Sequence, residues 1–181
     1  ILYDSENGVT YYELSESLNI TDKLWTPAGT KENPFAGNFN GNGHEIYFNV
    51  NGDFEAAGLF GYTDGAEISM LGIRGLSSTT ANISGGLCGS LKNTLVENCY
   101  STVYVKASAY AGGLCGVVES GSKIINSYAA GYSVAENSGM LFGHFANGVT
   151  VKNLYYRSAE GKNAVGENAS TNTTVAEGKT A

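Results

Sequence analysis

The sequence predicts an all-β protein folded as a parallel β-helix, or β-solenoid, with about five to six coils of roughly 22–28 residues. Three observations predict this fold: a recurring tetrapeptide, a second set of markers in phase with it, and apolar residues that alternate or form short runs between turn residues. The composition agrees, because 25 of the 181 residues are glycine, which disfavours long helices.

The tetrapeptide has the pattern Gly-Leu-apolar-Gly and recurs at steps of 28, 27 and 27 residues, with a weaker copy 23 residues later. The copies occupy 58–61, 86–89, 113–116, 140–143 and 163–166. The position after the leucine holds Phe60, Cys88, Cys115, Phe142 and Val165. Because Phe, Cys and Val exchange as apolar fillers and not as nucleophiles, we expect this column to lie in the core, with Cys88 and Cys115 unpaired. Cys99, which lies outside the column, is also expected to be unpaired. The closing glycines are expected at a bend with positive φ or where a neighbouring coil passes closely.

The second set of markers is Ile46, Ile68, Val96, Ile124 and Val151. After the last three stand an asparagine and then a tyrosine, each two residues further on: Asn98, Asn126 and Asn153, then Tyr100, Tyr128 and Tyr155. We expect the asparagines to stack and to tie successive turns together, since Asn tolerates the left-handed conformation. The tyrosines face either inward as an aromatic stack or outward as a sugar platform, and their place two residues beyond a turn favours the inward position.

A strand near the N-terminus is predicted in "YELSESLNIT", where Leu14, Leu18 and Ile20 share one parity. Residues 1–181 are predicted to form a single β-helical domain, with a lead-in and N-terminal coil at 1–45, repeats at 46–166 and a tail at 167–181 that starts a further segment. A leucine-rich repeat has a similar period, but its L-x-x-L-x-L framework is absent, as is the G-G-x-G-x-D pattern of calcium-binding nonapeptides.

The tetrapeptides resemble the GLUG motif, which occurs in large bacterial surface proteins, including adhesin-like proteins and the non-catalytic regions of IgA-specific metallopeptidases. The segment before the repeats is similar to the family's lead-in, and its matching residues are Trp25, Pro27, Phe35, Gly37, Phe39, Gly41, Gly43 and His44. The resemblance covers roughly residues 10–178, and Met140 departs from the leading glycine. It implies a right-handed parallel β-helix on an exported protein, and it implies no catalytic residue.

The histidines and the serine of "GYSVA" are the residues that most resemble chemical motifs. "HEIYF" begins like a zinc-binding H-E-x-x-H, but its fifth residue is Phe48 and not histidine. His144 takes the position held by Tyr62, Ser90 and Val117 in other copies, which indicates a position on the surface or at its rim. Ser133 aligns with the strand "VYVKA" of the preceding coil and is interpreted as an ordinary strand residue. We therefore predict no metal site, no cofactor site and no nucleophile.

Activity on carbohydrate would require two carboxylates placed close together, because glycosidases use such a pair. Glu97 is expected to stack on Ile125 and Lys152, with Ser69 on its other side, and the remaining acidic residues are spread through loops. We predict that the chain is not an enzyme, and that any peptidase activity lies elsewhere in the parent protein. The alternative is a carbohydrate-binding or carbohydrate-active β-helix that uses loop carboxylates or exposed tyrosines.

The net charge of −7 disfavours nucleic acid and anionic membranes as partners, and no apolar run approaches the roughly 18 residues of a membrane span. Because the chain starts at Ile1 with no signal peptide, we expect a processed protein or a fragment. The predicted function is that of a monomeric, non-catalytic segment of a larger bacterial cell-surface protein, either adhesive or a rigid stalk. A host glycoprotein or glycan is the candidate partner.

Overall fold

A computed structural model describes residues 2–6, 9–158, 161–168 and 177–179, with the first and last of these ranges described as backbone only. The described residues form strands and turns and contain no helix, and so none that is long and apolar enough to cross a bilayer. The strands are β1 (Leu2–Glu6), β2 (Val9–Glu13), β3 (Leu18–Leu24), β4 (Asn38–Asn40), β5 (Glu45–Gly52), β6 (Ala56–Ala57), β7 (Phe60–Asp64), β8 (Glu67–Ser69), β9 (Gly72–Thr79), β10 (Ile83–Gly85), β11 (Cys88–Lys92), β12 (Leu95–Glu97), β13 (Tyr100–Ser101), β14 (Tyr104–Lys106), β15 (Tyr110–Gly112), β16 (Cys115–Val118), β17 (Lys123–Ala129), β18 (Tyr132–Val134), β19 (Asn137–Gly139), β20 (Phe142–Phe145), β21 (Thr150–Arg157), β22 (Val165–Asn168) and β23 (Glu177–Lys179).

These strands stack in parallel as a β-solenoid of about six turns, which confirms the predicted fold class. Within the described ranges they make three sheets. One sheet has the order β22-β20-β16-β11-β7, another has the order β19-β15-β10-β6, and the remaining 14 strands form the third. The exception to parallel pairing is the hairpin of β1 and β2, which is antiparallel.

The apolar column predicted from the tetrapeptides runs through the core. Phe60 pairs with Cys88, Cys88 with Cys115, Cys115 with Phe142, and Phe142 with Val165. The first four are at most 3% exposed, and Val165 is half-buried. The motif leucines are equally buried: Leu59, Leu87, Leu114 and Leu141. The repeat therefore reflects core packing, because the apolar side chains of each coil pack against the equivalent side chains of the next coil.

The closing glycines of the tetrapeptides are needed because the coils approach closely, and not because of a bend. None of them has a positive φ. A Cβ atom at Gly89 would lie 2.8 Å from the carbonyl oxygen of Gly61, and one at Gly116 would lie 2.8 Å from that of Gly89. At Gly143 the distance to the oxygen of Gly116 would be 2.6 Å. Of the two expected reasons for these glycines, the close approach is confirmed and the bend is wrong.

Two expectations for the N-terminal part are wrong. Ile46 does not belong to the second set of markers: it pairs with Ile73, while Phe39 takes the place beside Ile68. The reason is that each coil has an apolar residue on either side of the same corner: Phe39 and Ile68 come before it, whereas Ile46 and Ile73 come after it.

The strand predicted across "YELSESLNIT" is also two strands, because the chain turns a corner between β2 and β3. Leu14 is buried at that corner, with 1% of its surface exposed, and its N–H donates to the carbonyl oxygen of Asn40 at 3.0 Å. A shared parity on the two sides of a corner therefore does not indicate a continuous strand.

The lead-in packs directly on the first repeat. The indole N–H of Trp25 donates to the carbonyl oxygen of Leu59 at 2.8 Å, and the rings of Phe35 and Phe60 are 4.7 Å apart. The tail at 167–181 falls mostly outside the described residues, and within it β23 pairs with β21.

Candidate functional site: the tyrosine face

An asparagine turn forms one corner of each of three successive coils. Asn98, Asn126 and Asn153 have φ angles of 54°, 49° and 53°, in the left-handed region. The Asn126 side-chain amide donates to the Oδ1 of Asn98 at 3.2 Å, and that of Asn153 donates to the Oδ1 of Asn126 at 2.9 Å. The predicted asparagine stack is confirmed, and it ties these corners together along the solenoid axis.

The same corner reverses which residues point inward. In a straight strand, positions two apart share a face. Here Val96 and Cys99 are both buried although they are three apart, because Asn98 inserts one left-handed residue between them. The side chain two residues beyond the asparagine therefore points outward.

The favoured inward orientation of Tyr100, Tyr128 and Tyr155 is accordingly wrong. Tyr128 and Tyr155 are 42% and 41% exposed, and Tyr100 is half-buried on the same outer surface.

Beyond this corner, alternate residues of three successive coils point outward and together form what we call the tyrosine face. Its members are Tyr100, Thr102, Tyr104 and Lys106, then Tyr128, Ala130, Tyr132 and Val134, then Tyr155 and Arg157. The residues between them, such as Ser101, Val103 and Val105, are fully buried. The tyrosines form two columns along the axis, four residues or about 13 Å apart, with the small side chains of Thr102 and Ala130 between them.

The tyrosine rings cover one another's flat surfaces. The rings of Tyr100 and Tyr128 are 5.1 Å apart and inclined by 4°, and those of Tyr104 and Tyr132 are 6.1 Å apart and inclined by 20°. The ammonium group of Lys162 lies 5.1 Å from the centre of the Tyr132 ring. Stacked in this way, the rings present their edges and hydroxyl groups to solvent more than their flat surfaces.

At its N-terminal end the tyrosine face meets an ion pair. The Tyr100 ring lies over Gly72 and its hydroxyl donates to the Oε1 of Glu45, which also binds Arg74 at 3.0 Å. The hydrogen bond from Tyr100, with that from Arg74, holds the pKa of Glu45 below its usual value. Burial and the bond to Glu45 raise the pKa of Tyr100 to about 12. This cluster fixes the orientation of the first ring in its column.

His144 and Ser133 stand in the positions that the repeat predicts for them. His144 is in register with Val117, Ser90 and Tyr62. Its Nδ1 lies 3.1 Å from the Oε2 of Glu167. Ser133 is buried opposite Val105 in the neighbouring strand, and its hydroxyl donates to the carbonyl oxygen of Gly139 at 2.8 Å. The interpretation of Ser133 as a strand residue is confirmed.

The three cysteines are buried and unpaired, as predicted. Burial raises the pKa values of Cys88 and Cys99 to about 12, and it raises that of Cys115 well above the usual value. The thiolate is the nucleophilic form of cysteine, so these thiols are unreactive in the folded chain.

Two further predictions concern single acidic or metal-binding residues. Glu97 stands between Ser69 and Ile125 in register, with Lys152 beyond, as expected. His44 lies in a turn before β5, and the fifth residue of its motif, Phe48, is fully buried. Within the described ranges, no three His, Cys, Asp or Glu side chains are grouped as metal ligands would be.

The structure also brings together carboxylates that the sequence did not connect. The hydroxyl of Tyr62 lies beside Glu55, with Glu32 and Glu119 close enough to act on it electrostatically. Burial and these carboxylates raise the pKa of Tyr62. Glu119 also accepts a hydrogen bond from Ser90 at 3.1 Å. The three glutamates come from the lead-in and from loops of two different coils, so no fixed sequence spacing could have predicted the group.

An apolar cavity of about 320 Å³ lies in the first coils, under the lead-in. Its walls include Tyr12, Leu14, Trp25, Phe35 and Phe60. The Trp25 N–H is already bonded to Leu59, so this side chain offers the cavity no hydrogen bond. Several of its lining side chains are half-buried, and residue patterns did not predict this cavity.

Comparisons with protein-family models, with curated proteins and with solved structures found no match to this chain. The similarity to GLUG repeats therefore stays a prediction from the sequence.

Proposed function

We propose that this chain is a non-catalytic repeat segment of an exported bacterial surface protein, where it serves in adhesion or as a rigid spacer. The observation that carries the proposal is the in-register stacking of equivalent residues, from the core column to the asparagine corners. In such a solenoid each coil bonds to its neighbours and extends the rod by about 4.8 Å. The fold therefore supplies length and a continuous side wall.

The buried positions of the cysteines and of Ser133 support the non-catalytic part of the proposal. Cys88 and Cys115 share a column with Phe60 and Phe142, and Ser133 is opposite Val105. A catalytic group needs partners placed around it and access to a substrate. Buried members of packing columns have neither.

The second candidate function is that of a carbohydrate-binding or carbohydrate-active module. Two observations favour it: the outward tyrosines, and the group of Glu32, Glu55 and Glu119 around Tyr62. Carboxylates about 5–10 Å apart serve as acid and base or nucleophile in glycosidases. Within this second candidate, variants of the tyrosine face test carbohydrate binding, and variants of the glutamate group test carbohydrate hydrolysis.

The experiment incubates the purified chain with IgA, casein and a panel of glycans, with and without zinc or calcium, and measures both product formation and binding. We expect no turnover. Turnover that is lost on Glu55→Gln with Glu119→Gln, and retained in the matched variant Glu97→Gln, would contradict the proposal and support the second candidate. Saturable binding without turnover would select adhesion over a plain spacer.

A further inference from the structure

The tyrosine face differs in charge from the rest of the chain. The protein carries a net charge of −7, yet the outward residues of this face include Lys106 and Arg157 and no carboxylate. Lys162 adds a third cation where it covers Tyr132. Within the described residues, none of these three cations forms an ion pair with a protein carboxylate.

The carboxylates around the face do not cancel this charge. Glu45 at its N-terminal end is paired with Arg74. Glu136 follows the end of β18, beyond the columns. At the other end, β23 pairs with β21, and this pairing is described for the backbone only. The described outward residues of the tyrosine face therefore carry positive charge, although the chain as a whole is acidic.

The arrangement of the tyrosine rings, like the cations, favours a negatively charged ligand. An aromatic ring is electron-rich on its flat surfaces and positive at its edge. Tyr128 covers Tyr100, Tyr132 covers Tyr104, and Lys162 covers Tyr132, so solvent meets mainly ring edges and phenol hydroxyls. Such edges, with hydroxyl donors and cations, suit an anion better than they suit the apolar face of a neutral sugar.

The shape of the face suits an extended chain. Thr102 and Ala130 form a low strip between the two tyrosine columns, and this strip runs along the solenoid axis. Each coil repeats the same tyrosine positions about 4.8 Å further on. A polymer that repeats its hydroxyl and acidic groups along its length could meet each coil in the same way.

We infer that the tyrosine face binds an acidic glycan, a chain of sugars bearing carboxylate or sulfate groups, with Lys106, Arg157 and Lys162 receiving the anionic groups. The inference rests on the proposed function and names the class of partner for its adhesive form. Phenol hydroxyls and the cationic side chains all bond to sugar hydroxyls, but the cations select the acidic members of the class.

The test measures binding of the full 181-residue chain to chondroitin sulfate and polygalacturonate, with dextran as the neutral glycan and poly-L-glutamate as the acidic polypeptide. We expect saturable binding to the two acidic glycans that weakens between about 0.05 M and about 0.5 M salt. Lys106→Gln with Arg157→Gln and Lys162→Gln should raise Kd about tenfold or more, the factor for one charge-assisted hydrogen bond.

The matched control is Lys92→Gln with Lys123→Gln and Lys152→Gln, which removes the same charge from exposed positions on other walls. It should change Kd by less than about twofold. An equal loss in the control, equal binding of dextran, tighter binding of poly-L-glutamate or no binding at all would each overturn the inference. None of these outcomes contradicts a non-catalytic spacer, whereas turnover of a glycan would contradict the proposed function itself. Circular dichroism of both triple variants verifies that they are folded.

Discussion

The hydroxyl of Tyr100 donates a hydrogen bond to Glu45 across an intervening coil. In register between the two residues stands Gly72, and a Cβ atom there would overlap the Tyr100 ring. The absence of a side chain at that one position lets a tyrosine of one coil reach a carboxylate two coils away. The same contact anchors the end of the tyrosine face.

Replacement of Tyr100 by phenylalanine should reduce the free energy of unfolding by about 1 kcal/mol at neutral pH, because a hydrogen bond to a partly exposed carboxylate is lost. The pKa of Glu45 is lower in the folded chain than its ordinary value of 4.5, so its contribution to stability is present above that pH and is lost as the pH falls. The pKa of Tyr100 is raised from 10.0 to about 12, so its contribution is lost as the pH rises through that range.

Urea unfolding of both proteins between about pH 3 and pH 11 measures this difference, which should be largest between about pH 5 and pH 10. Tyr104→Phe is the control, because that hydroxyl lies on the same face and bonds to no carboxylate among the residues that the structure describes. A pH-independent difference for Tyr100→Phe, or an equal loss for Tyr104→Phe, would show that the Glu45 contact does not stabilise the fold.

Met70 should be replaceable by asparagine with a gain in stability. It has a φ of 52° and is 45% exposed, and it occupies the corner position of Asn98 one coil earlier. A left-handed conformation costs most side chains about 1–2 kcal/mol, and asparagine less. Met70→Asn should therefore raise the free energy of unfolding by about 1 kcal/mol and add one bonded asparagine to the stack. Denaturant unfolding would expose an error if Met70→Asn were destabilising while Met70→Ala was not.

Leu87 and Leu114 should be central to the core. Both are fully buried in successive coils. Replacing either with alanine should lower the free energy of unfolding by about 2–5 kcal/mol, the usual range for a buried leucine. The exposed variant Thr102→Ala serves as the control and should change stability by less than about 0.5 kcal/mol. Losses below about 1 kcal/mol at both leucines would mean that the interior has been misplaced.

The three cysteines should react with a thiol reagent only when the chain unfolds. All are buried, and burial raises the pKa values of Cys88 and Cys99 to about 12. Thiol titration at pH 8 should give almost no reaction in buffer and three thiols in denaturant without reductant. Fewer than three thiols in denaturant would reveal a disulfide, and rapid reaction in buffer would place a cysteine on the surface.

The parts of the fold that repeat in phase could be predicted from the sequence. The column from Phe60 to Val165 and the asparagine stack follow from spacing alone, because in-register coils place equivalent residues side by side. The lead-in could be predicted less well, since the apolar residues on the two sides of the corner before Glu45 look alike in the sequence, and Ile46 belongs to the column of Ile73 and not to that of Ile68.

The outer surface was harder to predict than the core. One left-handed residue, such as Asn98, reverses the alternation of side chains, and counting by twos across it gives the wrong face for Tyr100. The group around Tyr62 depends on where three separate segments lie, and no local pattern records that. The two candidate sites therefore lie where a corner or a loop interrupts the regular pattern of the repeat.

Residues one period apart are direct neighbours on the outer wall, and both the rod and the tyrosine face follow from this stacking. Tyr104 and Tyr132 are one coil apart, and Leu76 and Tyr132 are two coils apart. Adjacent strands are about 4.8 Å apart, and a disulfide needs Cα atoms within about 7 Å. Mild oxidation followed by non-reducing peptide mass mapping should find a disulfide in Tyr104→Cys with Tyr132→Cys, and none in Leu76→Cys with Tyr132→Cys. A disulfide in the second pair and none in the first would contradict the in-register stacking of the coils.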